Sequence, residues 1–239
     1  MRTQDGRPFL GVVGGMGPLA SAEFLRTIYE QSLGGREQES PRVVLYSDPT
    51  FPDRTDALLA GEYDELLARL VEALERLLAL GVSRVVICCI TIHHLLPLLP
   101  ADLRARVVSL IDVVFDEVER TRRRHLLVCT TGTRRLGLFE RHERWGRLKE
   151  FFVLAEGADQ AAIHELIYRV KRNEDLRELT PRLEELLAKY GVDSFIVGCT
   201  ETHLLAKQVA RGPRAYGCID PLAVIARGVA ESELVGENI

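Results

Sequence analysis

The chain has 239 residues, 46% of them hydrophobic, which is enough to bury a real core in one large domain or two lobes and excludes general disorder. Its 31 basic and 35 acidic residues leave a formal charge of -4, without the one-sided field that a nucleic-acid or membrane partner would need. Five cysteines without regular close spacing point to free thiols rather than a disulfide framework, and no apolar run has the length of a signal peptide or membrane span, so the chain is read as cytoplasmic.

The first predicted element is a short buried strand at 9–15 (FLGVVGG), which runs into the small-residue loop Gly14-Gly15-Met16-Gly17. Gly15-Met16-Gly17-Pro18-Leu19-Ala20 fits the G-x-G-x-x-A pattern of a dinucleotide-binding turn. However, no acidic residue stands at the end of a second strand at the expected distance, and Pro18 removes an amide from the helix start. The amides around Met16 and Gly17 are therefore read as a carboxylate grip. A second strand at 42–47 is followed by the turn-rich run 48–55, a loop in which Arg54 offers a bidentate fork to a carboxylate, with simple solvation as the alternative. A helix at 63–80 precedes a strand at 84–90 that ends on Cys88 and Cys89. Next come a helix at 112–122, a strand at 125–130 leading into Thr130-Thr131-Gly132-Thr133, a strand at 149–154, and helices at 159–171 and 179–190. A strand at 194–198 then runs up to Cys199, and a final helix starts at Pro221. This alternation predicts an α/β fold with mainly parallel sheet flanked by helices.

Residues 81–96 (GVSRVVICCITIHHLL) echo residues 191–205 (GVDSFIVGCTETHLL), aligning Cys89 with Cys199 and His93 with His203. Leu110-Ile111-Asp112 and Cys218-Ile219-Asp220 form a second echo before two helices. The chain is thus expected to form two pseudo-symmetric lobes, 1–107 plus 209–239 and 108–208, with the active site in the cleft between them.

Both cysteines fall at carboxyl ends of predicted strands, where open α/β sheets place their ligands, and the following helix starts are expected to lower their pKa. Equivalent residues of two related lobes would face each other. Two facing thiols suit removal of a proton from one face of a carbon and return of a proton to the other. Cys88, Cys129 and Cys218 have no such partner and are read as core residues. His93 and His203, one helical turn beyond their cysteines, are either supporting groups of the cleft or helix caps and buried histidines. A zinc site from Cys89, His93, Cys199 and His203 is the weaker alternative, and no metal is expected. Glu201 is open to three readings: helix cap, ammonium ligand or proton relay.

Over nearly the whole chain these residues resemble the aspartate/glutamate racemases, in particular the aspartate racemase branch. Gly14-Gly15-Met16-Gly17-Pro18 is similar to the branch's opening loop, Pro52-Asp53-Arg54-Thr55 to its carboxylate-binding loop and Gly198-Cys199-Thr200-Glu201 to its second catalytic motif. Cys89-Ile90-Thr91-Ile92-His93 is similar to the first catalytic motif, normally Cys-Asn-Thr-x-His, and Thr130 and Thr133 fit the Thr-x-Gly-Thr turn. The resemblance implies that Cys89 and Cys199 are the acid/base pair and that Arg54 holds the side-chain carboxylate. It also implies that Thr91 and Thr200 help bind the substrate backbone, and that Lys171 matches the family's substrate-binding lysine. The implied activity is a racemase of aspartate foremost and glutamate next, independent of metal and pyridoxal phosphate, in a homodimer. The departures are Ile90 for asparagine, and Leu136 and Phe139 for the usual serine and tyrosine, which point to a shifted substrate preference or efficiency. The competing expectations are a related isomerase or decarboxylase on the same scaffold, and an amino-acid-binding protein without turnover.

Overall fold

The computed structural model describes residues 9–32 and 36–231; residues 1–8 and 232–239, both assigned above to lobe one, lie outside the described residues. Two four-stranded sheets form the frame. The first holds β1 (Phe9–Gly14), β2 (Arg42–Ser47), β3 (Arg84–Ile87) and β4 (Val107–Val108) in the order β2-β1-β3-β4. The second holds β5 (His125–Val128), β6 (Phe152–Val153), β7 (Ser194–Val197) and β8 (Gly217–Ile219) in the order β6-β5-β7-β8. Every pairing is parallel. The two orders are the same topology, with β1 corresponding to β5 and β3 to β7, so the internal echo is a repeat of architecture.

The helices are α1 (Pro18–Ser32), α2 (Arg54–Ala60), α3 (Asp64–Ala79), α4 (Ala101–Arg104), α5 (Leu110–Thr121), α6 (Thr131–Arg135), α7 (Trp145–Leu148), α8 (Gly157–Lys171), α9 (Leu176–Lys189), α10 (Thr202–Ala210) and α11 (Pro221–Ala230). Strands covered on both faces need apolar residues at successive positions, and Val12, Val13, Val85 and Val86, like Leu126, Val128, Phe195 and Val197, are buried. α3 shows the helical counterpart, burying Leu66, Leu70, Ala73, Leu74 and Leu77 along one stripe, with Asp64 and Glu65 in its first turn and Arg76 in its last. Among the described residues no helix is long and apolar enough to cross a membrane.

Several elements differ from expectation. The strand predicted at 149–154 is a 3₁₀ turn, Lys149–Phe151, followed by the two-residue β6. The helix predicted at 179–190 begins earlier, at Leu176, where Asp175 accepts a capping hydrogen bond from the Arg177 amide, and it carries Pro181 inside. β8 pairs with β7, so a division at 209 would cut that strand from its sheet. We propose instead that the return to lobe one starts at Asp220, whose side chain caps α11 through the Leu222 and Ala223 amides. From there α11 packs against α1 and α5.

Candidate active site

β3 and β7 end at Ile87 and Val197, and each is followed two residues later by a cysteine, Cys89 and Cys199, each 6% exposed. The chain after Cys89 forms a 3₁₀ helix, Thr91–Leu98, with Pro97 inside. After Cys199 it turns into α10. Glu201 stands at the N-cap of α10 but makes no capping bond with its side chain. Its carboxylate turns back instead, and Cys199 Sγ donates to Oε2 at 2.9 Å.

Both thiols open onto one cavity of about 10 Å3, lined also by Met16, Asp53, Arg54, Thr55, Thr91, Thr130, Lys171 and Glu201. An adjoining cavity of about 210 Å3 shares Asp53, Arg54, Lys171 and Glu201 and adds Gly17 and Tyr168. The expected residues Met16, Arg54, Cys89, Thr91, Thr130, Lys171, Cys199 and Glu201 are therefore brought together, with Gly17 next door. Thr133 and Thr200 stand behind the wall. Thr133 Oγ1 lies 3.0 Å from Thr91 Oγ1 and 3.2 Å from Thr130 Oγ1, while Thr200 Oγ1 donates to the Cys88 carbonyl at 3.1 Å.

Arg54 is the first residue of α2, where a loop was expected. Asp53 caps this helix, accepting from the Thr55 and Asp56 amides at 2.8 and 3.1 Å. The guanidinium donates to the Phe51, Pro52 and Met16 carbonyls, and Nε is left buried without a partner. Arg69 braces the preceding loop by donating to the Thr50 carbonyl and Asp48 Oδ2, with its guanidinium over the Phe51 ring. Gly15, at φ 92°, lets the opening loop pass against Asp48, whose backbone would meet a Cβ there at 2.3 Å. At Gly17 a Cβ would sit 2.6 Å from Glu201 Oε1, so the glycine keeps that carboxylate's place open.

Sequence reasoning passed over Asp53, Thr55 and Tyr168. The Asp-Arg-Thr-Asp run carries a helix-cap signature, and Tyr168 precedes Lys171 by three positions on α8, hence shares its face. In the fold Lys171 Nζ lies 4.3 Å over the Tyr168 ring, and Tyr168 OH donates to Asp53 Oδ2 at 3.4 Å.

The thiols are not acidified as expected. Burial raises the pKa of Cys89, against which the Arg54 charge works, and burial together with the Glu201 carboxylate raises Cys199 well above the ordinary thiol value. At Cys89 desolvation outweighs the Ile92 amide of the following helical turn, which works the other way. Burial also opposes the Lys171 ammonium, but its neighbours Cys199 and Glu201 outweigh it and raise the lysine's pKa.

Neither histidine lines the cavity. His93 Nε2 accepts from the Leu110 amide at 3.1 Å, which leaves Nδ1 to donate to the Cys89 carbonyl at 2.9 Å. His203 meets Asp220 Oδ2 at 2.5 Å and Thr27 Oγ1 at 2.9 Å. With all four ring nitrogens engaged, the Cys-His set is not assembled as a metal site. Burial lowers the pKa of His93 to about 4. An unfolded imidazole takes up its proton first as pH falls, so this contribution is whole above about pH 6.5 and is lost toward pH 4, by roughly 3 kcal/mol. Urea midpoints measured across that range should therefore fall further for the native chain than for His93→Gln; equal losses would remove the assignment.

Ile90 is 1% exposed and packs in the apolar core rather than lining the cavity, and Phe139 lies 6.4 Å from Phe115 and 6.0 Å from Phe152 in an aromatic cluster. These departures from the racemase motifs fill core positions.

The fold has clear relatives. An aspartate racemase from Picrophilus torridus superposes with a TM-score of 0.78 at 22% identity, over 95% of this chain and 94% of that one. A protein described as a putative Asp/Glu racemase from Yersinia pestis gives 0.70 at 21% identity, over 95% and 99%. An allantoin racemase from Klebsiella pneumoniae gives 0.58 at 16% identity, over 95% and 87%. The family model described as Asp/Glu/Hydantoin racemase matches residues 13–229, nearly the whole described chain. The chain therefore belongs to the Asp/Glu/hydantoin racemase family, and by that membership it is an isomerase of the racemase type.

Proposed function

We propose that this protein interconverts the L- and D-enantiomers of an acidic amino acid, aspartate foremost and glutamate next, by proton transfer between Cys89 and Cys199 on opposite faces of Cα. The observation that carries this reading is one cavity holding both thiols together with two buried, unpartnered polar atoms, Arg54 Nε and Glu201 Oε1. Buried polar groups are rarely left unpaired, so this donor and this acceptor fit a ligand. Arg54 and Lys171 suit its two carboxylates, and Glu201 Oε1 suits its ammonium. The Picrophilus relative's description as an aspartate racemase supports the order of substrates.

Either thiolate takes the α-proton while the opposite thiol delivers one, and the roles exchange for the other enantiomer. The cations and hydroxyls of the cleft stabilise the carbanion-like transition state. A cavity of about 10 Å3 holds roughly one water molecule, so substrate enters through the adjoining cavity as the lobes part, and closure then excludes water. Incubation with L-aspartate and with L-glutamate, followed by chiral chromatography, should show the D-enantiomer. Substrate deuterated at Cα should release its label to solvent at a comparable rate. Absence of any enantiomer from either acid ends the proposal.

A further inference from the structure

We propose that Glu201 makes the two thiols unequal by holding the proton of Cys199, so that Cys89 is the more readily ionised of the two and Cys199 the one that keeps its proton. The consequence for turnover rests on the racemase reading above, whereas the inequality itself does not. The two lobes repeat the same topology, and the two cysteines are equally buried at 6% exposure, so desolvation alone does not separate them. The difference lies two residues further on, where Thr91 follows Cys89 and Glu201 follows Cys199. The Thr91 hydroxyl is turned to Thr133, while the Glu201 carboxylate, 3% exposed, accepts the Cys199 Sγ proton at 2.9 Å.

The charged groups around each sulfur agree with this division. Cys89 feels the Arg54 guanidinium more strongly than it feels Glu201, and it also feels Lys171. Cys199 feels Glu201 more strongly than Lys171, and it alone has the direct hydrogen bond to the carboxylate. A thiolate at Cys199 would set two anions in contact away from water, which is strongly disfavoured. A thiolate at Cys89 faces a fixed cation.

The proton balance in turnover follows. Cys89 thiolate forms an S–H bond with the α-proton of one enantiomer, and the C–H electron pair stays on Cα. Cys199 S–H breaks and delivers its proton to the other face. Product release leaves a Cys89 thiol and a Cys199 thiolate pressed against Glu201. The starting form is recovered when Cys89 gives its proton to solvent and Cys199 takes one from solvent, after which the thiol again donates to Glu201 Oε2, and nothing is consumed. One enantiomer is therefore taken by the form with Cys89 ionised, and the other by the less populated form with Cys199 ionised.

The test is limiting alkylation of the full-length, ligand-free protein with iodoacetamide near neutral pH, read by peptide mass mapping. Cys89 should be modified at least ~10-fold faster than Cys199, because the thiolate is the nucleophile. Glu201→Gln should accelerate Cys199 and narrow that ratio to within about 3-fold. Equal rates in the native protein, or modification of Cys199 first, overturns the proposal. So does an unchanged ratio in a folded Glu201→Gln protein. Cys88 and Cys129, both 0% exposed, label only if the fold is lost, and in that event the native ratio alone decides. Unequal labelling in a protein without enantiomer formation would sink the racemase reading and leave this one standing.

Discussion

Cys89→Ala and Cys199→Ala should each lower racemisation by on the order of 10³-fold or more, since a positioned acid or base contributes about 10² to 10⁴ and the proposed scheme gives each face one. The two losses should not add, because inversion already fails when either face lacks its group. A sharper consequence concerns isotope exchange. The single remaining thiolate can still remove an α-proton from the enantiomer that presents it and return a solvent proton to the same face. Each variant should then wash deuterium out of one enantiomer without inverting it, and the two variants should select opposite enantiomers. Inversion at near-native rate by either variant would rule out the two-base scheme. Exchange of the same enantiomer by both would place the thiols on one face. Both cysteines are nearly buried and small, so alanine leaves only a modest cavity and the folded state should survive for the measurement.

Arg54→Ala should cost about 10² to 10³ in kcat/KM, the equivalent of the roughly 2–5 kcal/mol lost when one partner of a buried, hydrogen-bonded charge pair is truncated. Two functions leave together: the ligand for a carboxylate and the positive charge that favours the Cys89 thiolate. Removing a cation raises the pKa of a neighbouring thiol, so the rising limb of the pH–rate profile should move to higher pH. Arg54→Lys separates the two functions. It restores the charge, hence the position of the limb, but not the fork, hence not KM. The guanidinium also satisfies the Phe51, Pro52 and Met16 carbonyls, so circular dichroism and a thermal melt must accompany the kinetics. An Arg54→Ala protein that folds and keeps kcat/KM within about threefold would remove Arg54 from the site.

The strands and the thiol pair were legible because they rest on local signals. Runs such as Arg84–Ile87 and Ser194–Val197 are apolar at every position, as strands covered on both faces must be, and the repeated Gly-to-Cys segments carry the lobe symmetry in plain residues. α1 was not legible. It packs against both α11 and α10, and its buried positions include Ser21 and Thr27, whose hydroxyls bond within the fold, so no clean apolar stripe is visible. β8 is three residues long and exposes Cys218, too little for a periodic signal. The lining of the site was readable where a motif names a residue and hidden where tertiary packing supplies it. Tyr168 reaches the site only because the end of α8 comes over α2. The thiol acidities were misjudged for the same reason, since burial is a property of the assembled lobes rather than of the strand end. The two histidines show the limit of the echo. His93 and His203 occupy matching positions, yet one binds the backbone and the other an aspartate and a threonine.

The hydroxyl of Thr200, on one lobe, holds the carbonyl of Cys88, on the other, and Thr91 meets Thr133 across the same seam. Each tie sits one or two residues from a reactive sulfur. On the two-thiol reading, parting the lobes to admit a ligand would separate the sulfurs in the same movement, and shutting them would bring them back to one cavity. A bystander carbon acid in the open cleft would then meet two separated, idle thiols. Selectivity would be exercised at the moment of closing, by whatever completes the charges around Arg54, Lys171 and Glu201 well enough to let the seam knit.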